Sequence, residues 1–563
     1  MLFRRIQRVA LFGSMAILMI VSSGCATTDE STSSTAYGMT GEPQLFNGLG
    51  EYSRDITTDS HEAQEYFNQG LNWMYSFNHD EAVRSFRRAA EIDDDCAMAW
   101  WAISYCQGPN YNDPVMTDDR SAAAWDALEE AHERSRHGAP VERALIEALG
   151  HRYESPWPED RTALEQSFAD AMSRVWAEYP DDPDVGAVYA EALMTQRPWK
   201  LYTIDKRPEK DTPTIVATLE RVLTLAPHHP GANHLYIHAI EPSENPDRAL
   251  PAADRLCDLV PGAGHMNHMP THIYVQTGMW DRSIEQNAKA MDADSAYRER
   301  SPDQLVQHMY MVHNSHMLAF SAMMVGREAE AMTAARAMWE DVPEETLAGI
   351  APFVDLWMTS VYDVQKRFGR WDDILAEPAP PTYLPITTAI WRAHRSIAYA
   401  AKQDFGNAEH EYELFKAARE SIPSESVFGQ DATHRILEVS DYFIRGEIAL
   451  QQRQWDKASK LLEEAARIED TLWYGEPPQW LQPVRHTLGA MYLAAGRYAD
   501  AERVYRDDLK KWRGNGWSLY GLSRALEQQG KEAEARRVRS EYQQAWAKAD
   551  EPTRTSCKCI PET

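Results

Sequence analysis

Residues 488–505 read LGAMYLAAGRYADAERVY. Gly489 and Tyr492 fall on one short helical stretch, Gly496 breaks it, and Tyr498, Ala501 and Tyr505 fall on a second. Apolar residues at helical spacing on both sides of a glycine turn predict two antiparallel helices. Small residues let the two helices approach, and large ones fill the groove toward the next pair. Trp517, Gly521 and Ala533 repeat the pattern downstream, and Gly446, Ala458 and Ala465 repeat it upstream. An insertion at 471–483, with Trp473, Pro477-Pro478 and Trp480, separates the upstream copy from the quoted one. Near the start, Tyr66, Gly70, Trp73, Ala82, Phe86 and Ala89 follow the same order, and Trp100 stands 34 residues after Tyr66. Weaker copies cover Gly369-Arg370-Trp371 and 391–415. Between about 61 and 548 nearly every segment has helical periodicity, and no stretch reads as a β-strand.

This pattern resembles the tetratricopeptide repeat, a 34-residue helix pair. Asp94 stands where that family has proline. The resemblance implies an all-α fold, a right-handed superhelical α-solenoid of such pairs. The stretches 69–78, 108–110, 230–241, 264–274 and 515–522 are also similar to a bacterial family of large, often exported tetratricopeptide proteins. That likeness implies fold and location but no settled activity. The expected organisation is a leader over 1–24, a flexible tether over 25–60, and N-terminal repeats over 61–182. Central repeats follow over 183–345, degenerate ones over 346–425, C-terminal repeats over 426–549, and a tail over 550–563.

The leader is read from Arg4, Arg5 and Arg8, an uncharged stretch from Val9 to Val21, and Ser22-Ser23-Gly24-Cys25. A basic start, an apolar run and small residues before a cleavage point form a secretory signal. The cysteine after Gly24 makes the segment similar to a bacterial lipoprotein signal. That resemblance makes Cys25 the lipidated first residue, with Ala26 directing it to an outer membrane facing the periplasm. Ser22 departs from the usual leucine. The whole chain has 57 basic and 86 acidic residues, a net charge of −29. Loss of 1–24 removes three arginines and deepens the charge to −32. Such a balance speaks against nucleic acid as a partner and leaves the N-terminal lipid as the only expected membrane contact. Cysteine is too sparse for a disulfide framework. Cys557-Lys558-Cys559 reads as part of an inert tail, with a local disulfide or a bound metal as alternatives.

Ten of the 19 histidines lie between 228 and 316. Taking Pro261 as position 32 sets one repeat at 230–263 and the next from Gly264. After a 14-residue insertion a third begins at Val312. In this register His234 and His238 occupy positions 5 and 9 of one repeat, and His268 and His272 the same positions of the next. His265, His313, His316 and Glu241 fall on the same face, which in the family lines the concave surface. Residues four apart meet on a helix face, and neighbouring helices lie about 8–10 Å apart, so imidazoles of adjacent repeats can converge on one ion. Imidazole suits Zn and Cu. The candidate metal ligands are His234, His238, His268 and His272, then Glu241, His265, His313 and His316. His228, His229 and His308 lie in turns or an insertion. Seven histidines exceed one tetrahedral ion, which makes two metals or copper conceivable. Met266 and Met269 fall at inward positions and read as core. A groove for a non-metal ligand and a purely structural role are the other readings of the cluster.

His234-Leu235-Tyr236-Ile237-His238 lacks the glutamate of H-E-x-x-H, and the chain has no P-loop, dinucleotide fingerprint or G-x-S-x-G. The leading expectation is therefore a binding or scaffold lipoprotein of the cell envelope. Its groove takes a peptide, a protein or a small ligand, with a divalent transition metal at the histidines. The alternative is a metal-dependent enzyme, hydrolytic or oxidative, with Glu241 as general base. A pure assembly scaffold is the third.

Overall fold

The computed structural model describes residues 43–301, 305–553 and 555–560. The leader and Cys25 lie outside the described residues. Antiparallel helix pairs follow one another through the chain, from His61–Tyr75 and His79–Ile92 to Gly516–Gln528 and Glu532–Ala545. The fold is an all-α solenoid of tetratricopeptide-like pairs. The quoted stretch forms Val484–Ala494 and Tyr498–Lys511, turned at Gly496 with φ +72°. The Tyr505 ring is clamped between Gly489 of its own pair and Gly521 of the next: a Cβ at these positions would sit 2.4 and 2.2 Å from its Cζ. Gly70 makes room for Phe86 in the same way. The small-and-large alternation in the sequence is thus the packing code of the pairs.

Three segments depart from the sequence expectation. From Pro43 the supposed tether is packed onto the solenoid. Gly262 donates its N–H to Gly48 O at 2.7 Å. Arg54 bridges Asp182 and Asp184, both at 2.8 Å. A polar composition did not show that Leu49, Tyr52 and Arg54 each have a complementary seat. The tail is not inert either, because Ser556, Cys557 and Cys559 are buried and the two cysteines form a disulfide. One short antiparallel hairpin, Val427–Phe428 with Asp431–Ala432, interrupts the helices; Gly429, φ +57°, opens its two-residue turn. The 14-residue insertion before Val312 is taken up by lengthening two helices, Trp280–Arg298 and Leu305–Met324. Among the described residues no helix is long and apolar enough to cross a membrane.

The array curls on itself. Gly231 packs against the Tyr75 ring, so the helix Pro230–Ile240 meets the helix His61–Tyr75. Tyr297 donates to Glu81 at 2.9 Å. C-terminal repeats return to the centre: Trp280 donates to Arg513 O at 2.9 Å and Trp517 to Met323 O at 2.7 Å. This closure turns the expected concave surface into interior.

Candidate metal centre

Pro230–Ile240 carries His234 and His238, with Glu241 as its C-cap. Gly264–His268 and Pro270–Thr277 form a nearly continuous helix that carries His265, His268 and His272. Pro270 removes one N–H from it, yet Met269 keeps helical angles (φ −52°, ψ −39°), so His268 and His272 stay one turn apart. Met266 and Met269 point into the core, as the register predicts. Leu305–Met324 brings His313 and His316.

The structure gathers these histidines, but not on an open groove. His234, His238, His265, His268, His272 and His316 are between 0 and 6 % exposed; His313 is half-buried. Phe77 lies 4.4 Å from the His234 ring, Tyr111 5.1 Å from His238, Tyr310 4.4 Å from His265 and Trp357 5.2 Å from His313, ring centre to ring centre. The 471–483 insertion adds Tyr474 and Glu476. The expectation of a groove-lining face fails because it treated the solenoid as open, whereas distant segments cover it.

The hydrogen bonds fix the tautomers. His234 Nδ1 faces Tyr75 O at 2.8 Å, an atom that can only accept. His238 Nδ1 faces Glu241 Oε1 at 2.9 Å, and His272 Nδ1 binds Glu241 Oε2. His268 Nδ1 faces Asn287 Oδ1 at 2.7 Å, and the Asn287 amide donates to Ser283 O at 3.0 Å, which sets its orientation. In all four, Nδ1 carries the proton and a neutral ring presents a lone pair at Nε2. These lone pairs converge. His268 and His272 bring Nε2 atoms 2.7 Å apart, and His265 Nε2 lies 3.2 Å from His234 Nε2, where a proton on His265 Nε2 can be donated to His234. His238 Nε2, His265 Nδ1 and His313 Nδ1 are buried with no hydrogen-bond partner among the described residues. Two lone pairs cannot face each other at 2.7 Å, a gap too small for a water between them. A proton or a metal ion must lie between them.

Ligand atoms of His234, His238 and His265 lie within 4.8 Å of one another, and so do those of His268, His272 and His313. The ligand atoms of a tetrahedral Zn with imidazoles lie about 3.3 Å apart, a spacing these triads can reach by small side-chain turns. Glu241 spans them, holding His238 of one and His272 of the other. Carbonyl or carboxylate on Nδ1 with a free Nε2 is the arrangement that orients metal-binding imidazoles. Glu241 therefore supports the rings from behind. Burial opposes its charge, but His272 and His238 hold its carboxyl down to about 2, which makes it a poor general base. Burial holds His234, His265, His268 and His313 well below the ordinary imidazole range, and His238 below it, so these rings are neutral and ready to ligate. His272 differs: burial lowers it, but Glu241 and Glu476 outweigh that and raise it. Among these rings His272 is therefore the one that takes up a proton most readily.

His316 stands apart from both triads, 5.7 Å from the Trp357 ring centre. His229 caps its helix, its Nδ1 accepting from Ala232 N at 3.1 Å, while its Nε2 faces Asp184 at 3.3 Å. Sequence reasoning missed Tyr75, Asn287, Tyr474 and Glu476. Tyr474 donates to Glu476 and lies 3.4 Å from Glu241, and Glu476 Oε2 is 3.5 Å from His272 Nδ1. Only the conspicuous insertion at 471–483 could have hinted at the last two.

No protein-family model and no curated protein matches the chain. Among solved structures it is similar to the human IFIT1 dimer with m7Gppp-AAAA, at 12% identity over 87% of this chain and 92% of that one, TM-score 0.31. It is similar to the APC/C hetero-tetramer Cut9–Hcn1 at 11% identity over 86% of this chain and 76% of that one, TM-score 0.29. Yeast Tom70 matches at 12% identity over 84% and 90%, TM-score 0.26. Likenesses this shallow carry no argument about what this chain binds, RNA included, and the expectation against nucleic acid rests on charge alone.

Proposed function

We propose that the chain is a metal-binding solenoid whose buried histidines hold two transition-metal ions, one on each triad. The observation that supports this best is the set of Nδ1 acceptors, Tyr75 O, Glu241 and Asn287, which leaves the buried Nε2 lone pairs of His268 and His272 facing each other. All-imidazole ligation suits zinc or copper. The net charge of −29 raises the local concentration of cations. In this proposal the protein is exported, anchored by lipid at Cys25 on the periplasmic side of an outer membrane, and offers its outer helix faces to a protein partner.

The test is the metal content of the full chain, expressed without a histidine tag and purified without chelator. Two equivalents are expected. His268→Ala/His272→Ala and His234→Ala/His238→Ala should each keep one. A chain that takes up neither zinc nor copper would sink the proposal.

Catalysis is the second reading, favoured by the half-buried His313, which gives the second triad an edge toward solvent. An open coordination position there would let azide alter the spectrum of the copper(II)-loaded chain. No change on azide addition would leave a closed, structural centre.

A further inference from the structure

A second set of ligand atoms lies at the other end of the chain, on elements that hold none of the histidine triads. Residues 555–560 are docked. Arg367 donates to Ser556 O at 3.4 Å, Gln451 donates to Cys559 O, and Tyr505 and Ser556 share a hydrogen bond between their hydroxyls. This places the Cys557–Cys559 disulfide against the C-terminal repeats, with both cysteines 3 % exposed.

Glu447, from the helix Thr433–Gln451, lies beside it and is 1 % exposed. Its Oε1 accepts from Thr487 Oγ1 at 3.2 Å, and its Oε2 has no hydrogen-bond partner among the described residues. One carboxylate oxygen and both sulfurs lie within 4.8 Å of one another. Thr487 Oγ1 stands 3.3 Å from Cys557 Sγ and 4.0 Å from Cys559 Sγ. A disulfide offers no proton and is a feeble acceptor, so it gives a buried carboxylate nothing in return for desolvation. Two thiolates with a cation between them and Glu447 would. Charge favours a cation here: two thiolates and Glu447 would gather negative charge in a buried place, and Lys366, which acts on Glu447, is drawn more strongly to Asp363.

We infer that reduction of Cys557–Cys559 creates a site for a thiophilic divalent ion of the zinc group, held by Cys557 Sγ, Cys559 Sγ and Glu447, separate from the histidine triads. A dithiol supplies two electrons and two protons and leaves as its own disulfide, giving two cysteine thiols. The incoming ion displaces both protons and forms two metal–sulfur bonds and one metal–oxygen bond. Tetrahedral ligation by two thiolates spaces the sulfurs about 3.8 Å apart. The Cα atoms are already 5.2 Å apart, which accommodates this without moving the helices. The oxidised chain has no such site.

The probe is cadmium, read by its thiolate charge-transfer absorption in the ultraviolet, on the full chain reduced with dithiothreitol and desalted anaerobically. One equivalent with this band is expected in the reduced chain and none in the oxidised one. Cys557→Ser/Cys559→Ser should abolish the band, and His268→Ala/His272→Ala should leave it unchanged, with folding of each variant checked by circular dichroism. Glu447→Gln, which leaves both thiols in place, should weaken cadmium at least about tenfold. No band in the reduced chain would overturn the inference. So would a full band in Cys557→Ser/Cys559→Ser, which would assign it to Cys96, Cys106 or Cys257. Unchanged affinity in Glu447→Gln would remove the carboxylate from the site and overturn it as stated.

Discussion

Glu241→Gln tests the metal centre at its hinge. The carboxylate accepts from His238 through Oε1 at 2.9 Å and from His272 through Oε2. Glutamine keeps one acceptor and replaces the other with an NH2 group. The imidazole facing that NH2 can no longer keep its proton on Nδ1, and moving it to Nε2 removes the lone pair the metal needs. Loss of such a supporting partner weakens metal binding about 10- to 100-fold, roughly 1.4–2.7 kcal/mol. His238 and His272 belong to different triads, so the amide can satisfy only one of them. One site should weaken by that factor, and the other only a few-fold. Glu241→Ala removes both acceptors and should weaken both sites. The assay is a stepwise zinc titration of the full chain against a fluorescent chelator, with the melting curve as a control for folding. Wild-type affinity at both sites in Glu241→Ala would refute the supporting role, as would weakening at a single site in that variant.

Three further outcomes follow from the packing. Gly521→Ala should cost about 1–3 kcal/mol because its Cβ meets the Tyr505 ring, and a Tyr505→Leu background should remove most of that cost in a double-mutant cycle. Arg54→Ala takes the guanidinium from Asp182 and leaves Asp184 with Tyr52, Tyr75 and His229, which should cost about 1–3 kcal/mol; residues 43–60 should become the first site of limited proteolysis. Burial pushes Asp294 up to about 7 from 3.8, so the folded chain holds a proton there that the unfolded chain releases. That contribution is complete below the unfolded value and is lost as pH rises through the folded one, by about 1.4 kcal/mol per pH unit at most. Between pH 4 and 7 the metal-free wild type should therefore lose more stability in urea than Asp294→Asn does; parallel curves would contradict the assignment.

The helix pairs were legible in the sequence because their code is local. Gly489, Ala501 and Tyr505 meet within one repeat or between neighbours, so spacing alone specifies the contact. The same register placed His234 with His238 and His268 with His272, since position in a 34-residue repeat fixes the helix face. It could not place Pro43 to Ser60, whose seats on Asp182, Asp184 and Gly262 lie more than a hundred residues away. Nor could it see Cys557 and Cys559 docked beside Glu447, where the contact spans a similar gap in sequence.

What the amino-acid order determined by itself is the solenoid and the shared face of the histidines, because both depend on periodicity. Whether that face is a groove or an interior was decided only by the tertiary structure. The array closes on itself, bringing Tyr75 and Phe77 from the first repeat and Tyr474 and Glu476 from the last insertion over the same rings. Closure buries the imidazoles, and buried polar atoms must find partners. Their Nδ1 protons go to Glu241, Asn287 and Tyr75, and the Nε2 lone pairs of His268 and His272 are left pointing at each other. Periodicity gathered the ligands, and burial gave them their orientation.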